Sequence, residues 1–315
     1  LVYRSICDDA HVFSARPQQP VSAEEITAQV LHRVETTPDP RMREIMRSLV
    51  THLHALVTEV RLTETEWATA IRALTSTGHL TDDRRQEFIL WSDTLGISML
   101  VDALGHPPPM GATESTILGP FYVPGSPLRP YGANIAEQEA GTPAWVHGHV
   151  RDLDGEPIAG AELDVWQNGD NRLYAVQDES APDEHLRGRF ETDTEGRFAF
   201  RAVRPVPYPI PDDGPVGQML SATGRHPWRP AHIHVVVRAR SFRSITTHIF
   251  DAESDYLHDD TVFAVKPSLI RKFVPRAADD PERPAGIEQP WVSLELELVL
   301  GPGEEDAPVD LGRTH

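Results

Sequence analysis

The run from Trp291 to Leu300, "WVSLELELVL", restricts its own geometry more than any other stretch of the chain. Leu294, Leu296 and Leu298 share one side of a period-two segment, and Glu295 and Glu297 share the other. On a helix the same residues would scatter around the axis and leave no dry face. The run is therefore a strand with one face in a core, and it needs partners. Candidates follow Trp145: "VHGHVRDLDGEPIAGAELDVWQ", "GRFETDTEGRFAFRAV", "HIHVVVRA" and "SITTHIF", with Asp154-Gly155 and Glu195-Gly196 as turns. Short runs at this spacing predict an antiparallel β-sandwich, or a barrel.

Upstream the period changes. From Ser22 to about Leu104 apolar residues recur at helical spacing, clearest in Met42, Ile45, Met46, Leu49, Val50, Leu53, Leu56, Val57 and Val60. Ser22 with Glu25 and Thr63 with Glu66 fit capping boxes, and Gly78 stands where a helix end would need positive φ. About four helices are expected, and the apolar stripe would serve as core or as a subunit interface. Between about Gly105 and Pro143, "GHPPPMGATESTILGPFYVPGSPLRPYG" is too rich in Pro and Gly to continue a helix and predicts an ordered connecting loop. The expected organisation is an N-terminal extension (1–21), a helical region (22–107), a connecting loop with the β-sandwich (108–300), and an acidic tail (301–315) without fixed structure. The fold class is mainly β with a helical N-terminal region.

A formal net charge of −19, with no block of Lys and Arg, argues against a nucleic-acid or anionic-membrane partner. No apolar run approaches the length of a membrane span, and residues 1–20 lack a secretory pattern. Cys7 is the single cysteine, so no intrachain disulfide forms and a cytoplasmic location is expected.

The chemistry concentrates in "HPWRPAHIHVVVRA". His232 and His234 stand two apart on a predicted strand and face the same way, a common means of holding a metal. Spacing alone leaves a pair of hydrogen-bonded core imidazoles equally open. His147 and His149 of "WVHGHV" have the same spacing beside an edge-like turn with no third donor in view, and are expected to face solvent. Tyr208, held between Pro207 and Pro209 in "RPVPYPIPDDG", is a phenol of fixed direction, and Tyr174 follows a Gly-containing turn in "DVWQNGDNRLY". Phenolate oxygen is a hard donor suited to ferric iron, although each tyrosine alone is as compatible with packing.

Together these residues resemble the non-haem ferric intradiol ring-cleavage dioxygenases. The pattern "Y…YPIP…RPAHIH" is similar to their iron-site signature, "LDVWQ" to the strand before their first tyrosine ligand, and "ILGPFYVPGSP" to the loop over their aromatic pocket. The likeness spans residues 22 to 300. Within the family, "ILWSDTLGISMLVDAL", "ATESTILGPFY" and "DDTVFAVKPSL" resemble the branch that opens hydroxyquinol (1,2,4-trihydroxybenzene) more than the catechol branches.

The resemblance implies one Fe(III) per subunit, ligated by Tyr174, Tyr208, His232 and His234, with Tyr208 displaced by substrate and Arg229 beside the ring. It implies a pocket walled by Ile117, Leu118, Gly119, Pro120, Phe121, Ile210, Pro211 and Val262. Leu90 and Asp93 match a substrate-facing pair, in which the carboxylate would accept a hydrogen bond from the third hydroxyl of hydroxyquinol. His248 replaces a glutamine that many catechol-type members carry behind the metal; there it would brace a ligand or Arg229 and make iron affinity or rate respond to pH near 6 to 7. The partners implied are a catechol-type substrate, dioxygen, and a second subunit docked through the helical region, with a phospholipid between the two. The runner-up substrate is catechol or a substituted catechol. More distant alternatives are a zinc hydrolase with Asp251 or Glu253 as third ligand, and a non-catalytic transthyretin-like binding module, which "VRDLDGEPIAGAELDV" resembles.

Overall fold

The computed structural model describes residues 21–82 and 84–303. Cys7, nearly all of the expected extension and the acidic residues beyond 303 lie outside them. The described residues fall into two compact units, up to Arg72 and from Ala73 on.

The first unit holds α1 (Ala23–Val34), α2 (Pro40–Val60) and the first half of α3 (Glu64–Leu80). Both capping boxes form: Ser22 with Glu25 at α1, and Thr63 with Glu66 at α3. Asp39 caps α2 by accepting from Met42 N, and Pro40 opens the helix where a missing N–H costs nothing. α1 packs on α2 with Thr27 Oγ1 2.8 Å from His54 Nδ1. The α2 stripe remains about half exposed, from Met42 at 49% to Val60 at 56%, and α2 has no buried residue. The chain as it stands does not use this stripe as core.

Gly78 does not end a helix; α3 runs through it to Leu80. The break comes later, at Gly96 (φ +74), which separates α4 (Glu87–Thr94) from α5 (Ile97–Gly105) by a 73° bend, so that five helices form where about four were expected. Among the described residues no single helix is long and apolar enough to cross a membrane.

The second unit is a two-sheet sandwich. Its strands are β1 (Pro143–Asp152), β2 (Glu162–Trp166), β3 (Arg187–Glu191), β4 (Arg197–Val203), β5 (Tyr208–Pro209), β6 (Trp228–Arg229), β7 (His232–Arg238), β8 (Ile245–Asp251), β9 (Ile270–Arg271), β10 (Val274–Arg276) and β11 (Trp291–Leu300). One sheet runs β10-β11-β1-β4 and the other β3-β2-β7-β8-β9, with β5 and β6 as a separate pair and α6 (Pro215–Ala222) between them in sequence. Pairing is antiparallel except for β1 with β11 and β8 with β9, which are parallel. Leu294, Leu296 and Leu298 are buried and Glu295 and Glu297 exposed, and the leucines meet Val146, Phe198 and Phe200 of their own sheet and Leu163, Ile233 and Val235 of the other.

β1 is an interior strand of its sheet, and His147 and His149, expected to face solvent, are half-buried on its outer face, His147 Nε2 3.0 Å from Ser293 Oγ. Gly148 between them has no room for a side chain, since a Cβ there would stand 1.8 Å from the Leu296 carbonyl oxygen. Gly148→Ala is expected to push β11 out of register and cost on the order of 3 kcal/mol, a fall in Tm of about 6–12 °C in a thermal unfolding scan.

Candidate metal centre and its pocket

The alternation of β7 decides where its histidines go. Ile233, Val235 and Val237 enter the sandwich core, so His232, His234 and Val236 occupy the opposite face. That face is not left to water: His232 and His234 are each 1% exposed. Val236 shares a second apolar cluster with Leu90 from α4, Phe121 from the connecting loop, Val216 and Leu220 from α6, and Trp166, Tyr174, Tyr208 and Ile210. Phe121 of the Pro- and Gly-rich loop is part of this cluster, and Leu118 and Tyr122 pack against it, which gives the loop's apolar members a place to bury.

Three donor atoms meet there. Tyr174 Oη lies 3.3 Å from His232 Nε2 and 3.0 Å from His234 Nε2, and the two Nε2 atoms are 3.1 Å apart. Donors about 2.0–2.1 Å from one metal ion stand about 3 Å from each other, so the spacing fits a shared ion. His232 Nδ1 donates to the Pro230 carbonyl at 2.7 Å, a bond that leaves Nε2 as a bare lone pair facing the cluster. Burial, with Arg229 adding repulsion at His232 and with His232 adding it at His234, holds both imidazoles well below their usual pKa, hence neutral. Two neutral imidazoles and phenol oxygens suit ferric iron. Trp166 stacks on the His234 ring at 4.6 Å and Phe121 on Tyr174 at 4.7 Å, which limits their rotation.

Tyr208 is set by the β5–β6 pair, whose register places it opposite Arg229. Arg229 Nη1 is 3.3 Å from Tyr208 Oη and 3.3 Å from His232 Nε2, and the Tyr208 hydroxyl also lies in hydrogen-bond reach of Tyr174. Burial raises the pKa of Tyr208, an effect that Arg229 opposes. Arg229 is itself 2% exposed and would be costly to bury alone; Asp260 answers it, with Oδ1 at 3.1 Å from Nε and Oδ2 at 3.3 Å from Nη2. Burial pulls the Arg229 pKa down, while Asp260 and Tyr208 raise it above the ordinary arginine value. Sequence reasoning missed Asp260, although it lies in the "DDTVFAVKPSL" segment.

His248 faces His234 in the β7–β8 register, with ring centroids 4.2 Å apart, and its Nδ1 bonds Thr116 Oγ1. It does not touch Arg229 by a hydrogen bond, and burial beside His234 and His232 holds its pKa well below 6.5, which overturns the expected response near pH 6 to 7. The ligand atoms of His232, His234 and His248 all lie within 4.8 Å of one another, a looser group than the one Tyr174 completes. Asp251 and Glu253 pair with Arg204 instead of the histidines, which removes them as third ligands of a zinc site.

The expected pocket walls divide between two clusters. Leu90, Phe121 and Ile210 belong with the tyrosines, with Leu118 packed against them, while Ile117 and Val262 belong to a neighbouring cluster around Phe250. Gly119 sits against His234, a Cβ there being 3.4 Å from its Cε1; Pro120 is buried and Pro211 half-buried. Asp93 is 2% exposed, with Oδ2 lacking a partner among the described residues, and it lines a crevice of about 320 Å³ with Ile117, Leu118 and Gly119. Burial, only partly offset by Ser98 and Arg229, pushes its pKa up to about 6.

Comparisons with known proteins place the chain in a family. The family described as "Dioxygenase" matches residues 117–292, and that described as "Catechol dioxygenase N terminus" matches residues 39–113. A hydroxyquinol 1,2-dioxygenase of Rhizobium sp. is 49% identical over 275 residues, 86% of this chain and 92% of that one. One from Nocardioides simplex is 45% identical over 90% of this chain and 99% of its own. Among solved structures, hydroxyquinol 1,2-dioxygenase from Pseudomonas putida DLL-E4 superposes with a TM-score of 0.83 at 48% identity, covering 89% of this chain and 99% of the other. Catechol 1,2-dioxygenase from Pseudomonas arvilla C-1 gives 0.80 at 28% identity, over 92% and 95%.

Proposed function

The chain belongs to the intradiol ring-cleavage dioxygenases, and from that premise we propose that it opens hydroxyquinol between its two adjacent hydroxylated carbons. Both atoms of dioxygen enter the product, 3-hydroxy-cis,cis-muconate, which tautomerises to maleylacetate. The observation that carries the ring-cleaving chemistry is the meeting of Tyr174 with His232 and His234 at 3.0–3.3 Å beside Tyr208 and Arg229. The observation that favours the trihydroxylated ring is Asp93, buried within electrostatic reach of Arg229 and Asp260 and with Oδ2 unpartnered among the described residues.

Tyr174, Tyr208, His232 and His234 would hold one Fe(III) per subunit. Bound there, ferric iron supplies Lewis acidity toward the two adjacent ring oxygens and a path for electron density from ring to dioxygen. Tyr208 would ligate the iron as a phenolate, a form that the Arg229 donor at 3.3 Å stabilises, and on release from the metal that phenolate oxygen would be the chain's own acceptor for a substrate hydroxyl proton. Arg229, locked by Asp260, presents a fixed positive charge to negative charge developing on the ring. The apolar enclosure of Leu90, Phe121 and Ile210 excludes water and strengthens each of these interactions. His248 braces the ring of His234 from behind. Residues 22–107 would form a homodimer through the half-exposed α2 stripe, with a phospholipid between subunits, and the single cysteine accords with a cytoplasmic location.

Oxygen uptake compared on hydroxyquinol, catechol and chlorocatechols tests the reading: hydroxyquinol should give the highest kcat/KM, and a preference for catechol would move the chain to the runner-up. An Asp93 carboxylate accepting from the third hydroxyl is a charge-assisted bond worth about 1.5–3 kcal/mol. Asp93→Ala should therefore lower the hydroxyquinol-to-catechol ratio of kcat/KM by about tenfold to a hundredfold. With its pKa at about 6, Asp93 is neutral below that pH and a carboxylate above it, so the ratio should rise as pH increases through 6. A ratio flat from pH 5 to 8, and unchanged by the substitution, would remove Asp93 from substrate recognition.

A further inference from the structure

Two pieces of chain carry residues that the functional reading assigns to substrate recognition. One is the end of α4, which carries Asp93. The other is the turn 260–264, in which Asp260 locks Arg229 and Val262 belongs to the wall. Arg225 spans the two.

Gly224, at φ +69, ends α6 and lets Arg225 N return to the Leu220 carbonyl at 2.8 Å, which turns the Arg225 side chain away from the helix axis. Its guanidinium then donates from Nη1 to the Thr94 carbonyl at 2.7 Å and from Nη2 to the Thr261 carbonyl at 2.8 Å. Thr94 follows Asp93, and Thr261 follows Asp260. The same guanidinium lies 5.1 Å from the centroid of the Phe263 ring, and Phe263 in turn rests on Gly96, where a Cβ would stand 3.5 Å from its Cδ2. Phe263 adopts φ +60, an uncommon conformation for an aromatic residue, within a turn that Asp260 ties by accepting from Val262 N and Ala264 N. Thr261 N further reaches the Trp228 carbonyl beside Arg229. A planar guanidinium presents its two Nη donors at a fixed spacing, which suits holding two such carbonyls at once.

Resting on the functional reading above, we propose that Arg225 is a specificity-determining positioning residue. It sets the span between Asp93 and the Arg229–Asp260 pair so that one ring can engage the metal side and present its third hydroxyl to Asp93 together. Catechol needs only the first of these contacts. Loosening the clamp therefore costs the hydroxyquinol-specific contact more than the shared ones.

The test is kcat/KM for hydroxyquinol and catechol in Arg225→Lys, which keeps the charge but reaches one carbonyl, and in Arg225→Met, which keeps only the apolar stem. Each is also made in the Asp93→Ala background, with Tm measured throughout. The expected result is a fall of about tenfold or more in the hydroxyquinol-to-catechol ratio, carried mainly by KM for hydroxyquinol. No further fall should occur once Asp93 is already Ala, because the two residues act through one contact. Equal losses on both substrates, or losses that add to that of Asp93→Ala, overturn the clamp and leave a merely structural arginine. Should Arg225→Met not fold, Arg225→Lys decides between these outcomes. A parent enzyme without preference for hydroxyquinol overturns the functional reading itself, and the clamp with it.

Discussion

Arg229→Ala should lower kcat/KM on hydroxyquinol by about 10²–10³-fold, the usual cost of losing one preorganised charge-stabilising group. The guanidinium is 2% exposed, reaches Tyr208 and His232 at 3.3 Å, and is held on its far side by Asp260. Its orientation is therefore settled before substrate arrives, and no reorganisation is spent on it during the reaction. Most of the loss should appear in kcat, since the negative charge it meets grows after binding. The substitution also strands Asp260, whose side chain is 2% exposed and whose remaining partners are two backbone N–H groups. Removing one member of a buried pair costs about 3–5 kcal/mol, so Tm should fall as well. Arg229→Ala combined with Asp260→Asn separates the two effects: it should recover much of the stability and none of the rate. Steady-state oxygen uptake and thermal unfolding of the same samples check both parts, and a rate within about fivefold of the parent in folded protein would take Arg229 out of the chemistry.

The pair Arg229–Asp260 also shows where the sequence stops being informative. Arg229 could be singled out only through the family resemblance, which implies a basic residue beside the ring just ahead of the histidine pair; period two groups His232 with His234 and says nothing of Arg229. Asp260 lies 31 residues downstream in another loop, and nothing local distinguishes it from Asp259, which is free to pair with His226 at the surface. The same holds for Thr116 on His248, for Trp166 stacked on His234, and for Arg225. Period two told which β7 residues share a face, but not which face is core; the helices and loop that cover His232 and His234 decide that. Pairing direction is likewise absent from periodicity, so the parallel β1–β11 pair inside an otherwise mostly antiparallel fold could not be read from "WVSLELELVL". Glycine misled in one place for a physical reason: Gly78 and Gly96 look alike in sequence, yet only Gly96 has a neighbour, Phe263, pressed against the point where the chain turns. His248 misled in another, since the pH response expected of an imidazole disappears when burial and two further rings keep it neutral.

Tyr174→Phe should leave a folded, colourless protein with little iron. The phenyl ring still fits, because its packing against Phe121 at 4.7 Å and its burial do not depend on the hydroxyl. What disappears is the oxygen that stands 3.0–3.3 Å from both Nε2 atoms, and with it a phenolate able to give visible charge transfer to ferric iron. Loss of a group that merely supports a ligand costs about 10–100-fold in metal affinity, and loss of a ligand should cost at least the upper end of that range. Metal analysis after dialysis and the visible spectrum read this directly, without reliance on turnover. His147→Ala removes an imidazole of the same spacing from the outer face of β1 and should change neither measurement. His248→Gln tests the competing set of three histidines, whose ligand atoms spread to 4.8 Å. If Tyr174 is the third donor, His248→Gln keeps colour and iron while Tyr174→Phe loses them; the opposite pattern would make the centre a three-histidine site and remove the phenolate on which the ring-opening reading depends.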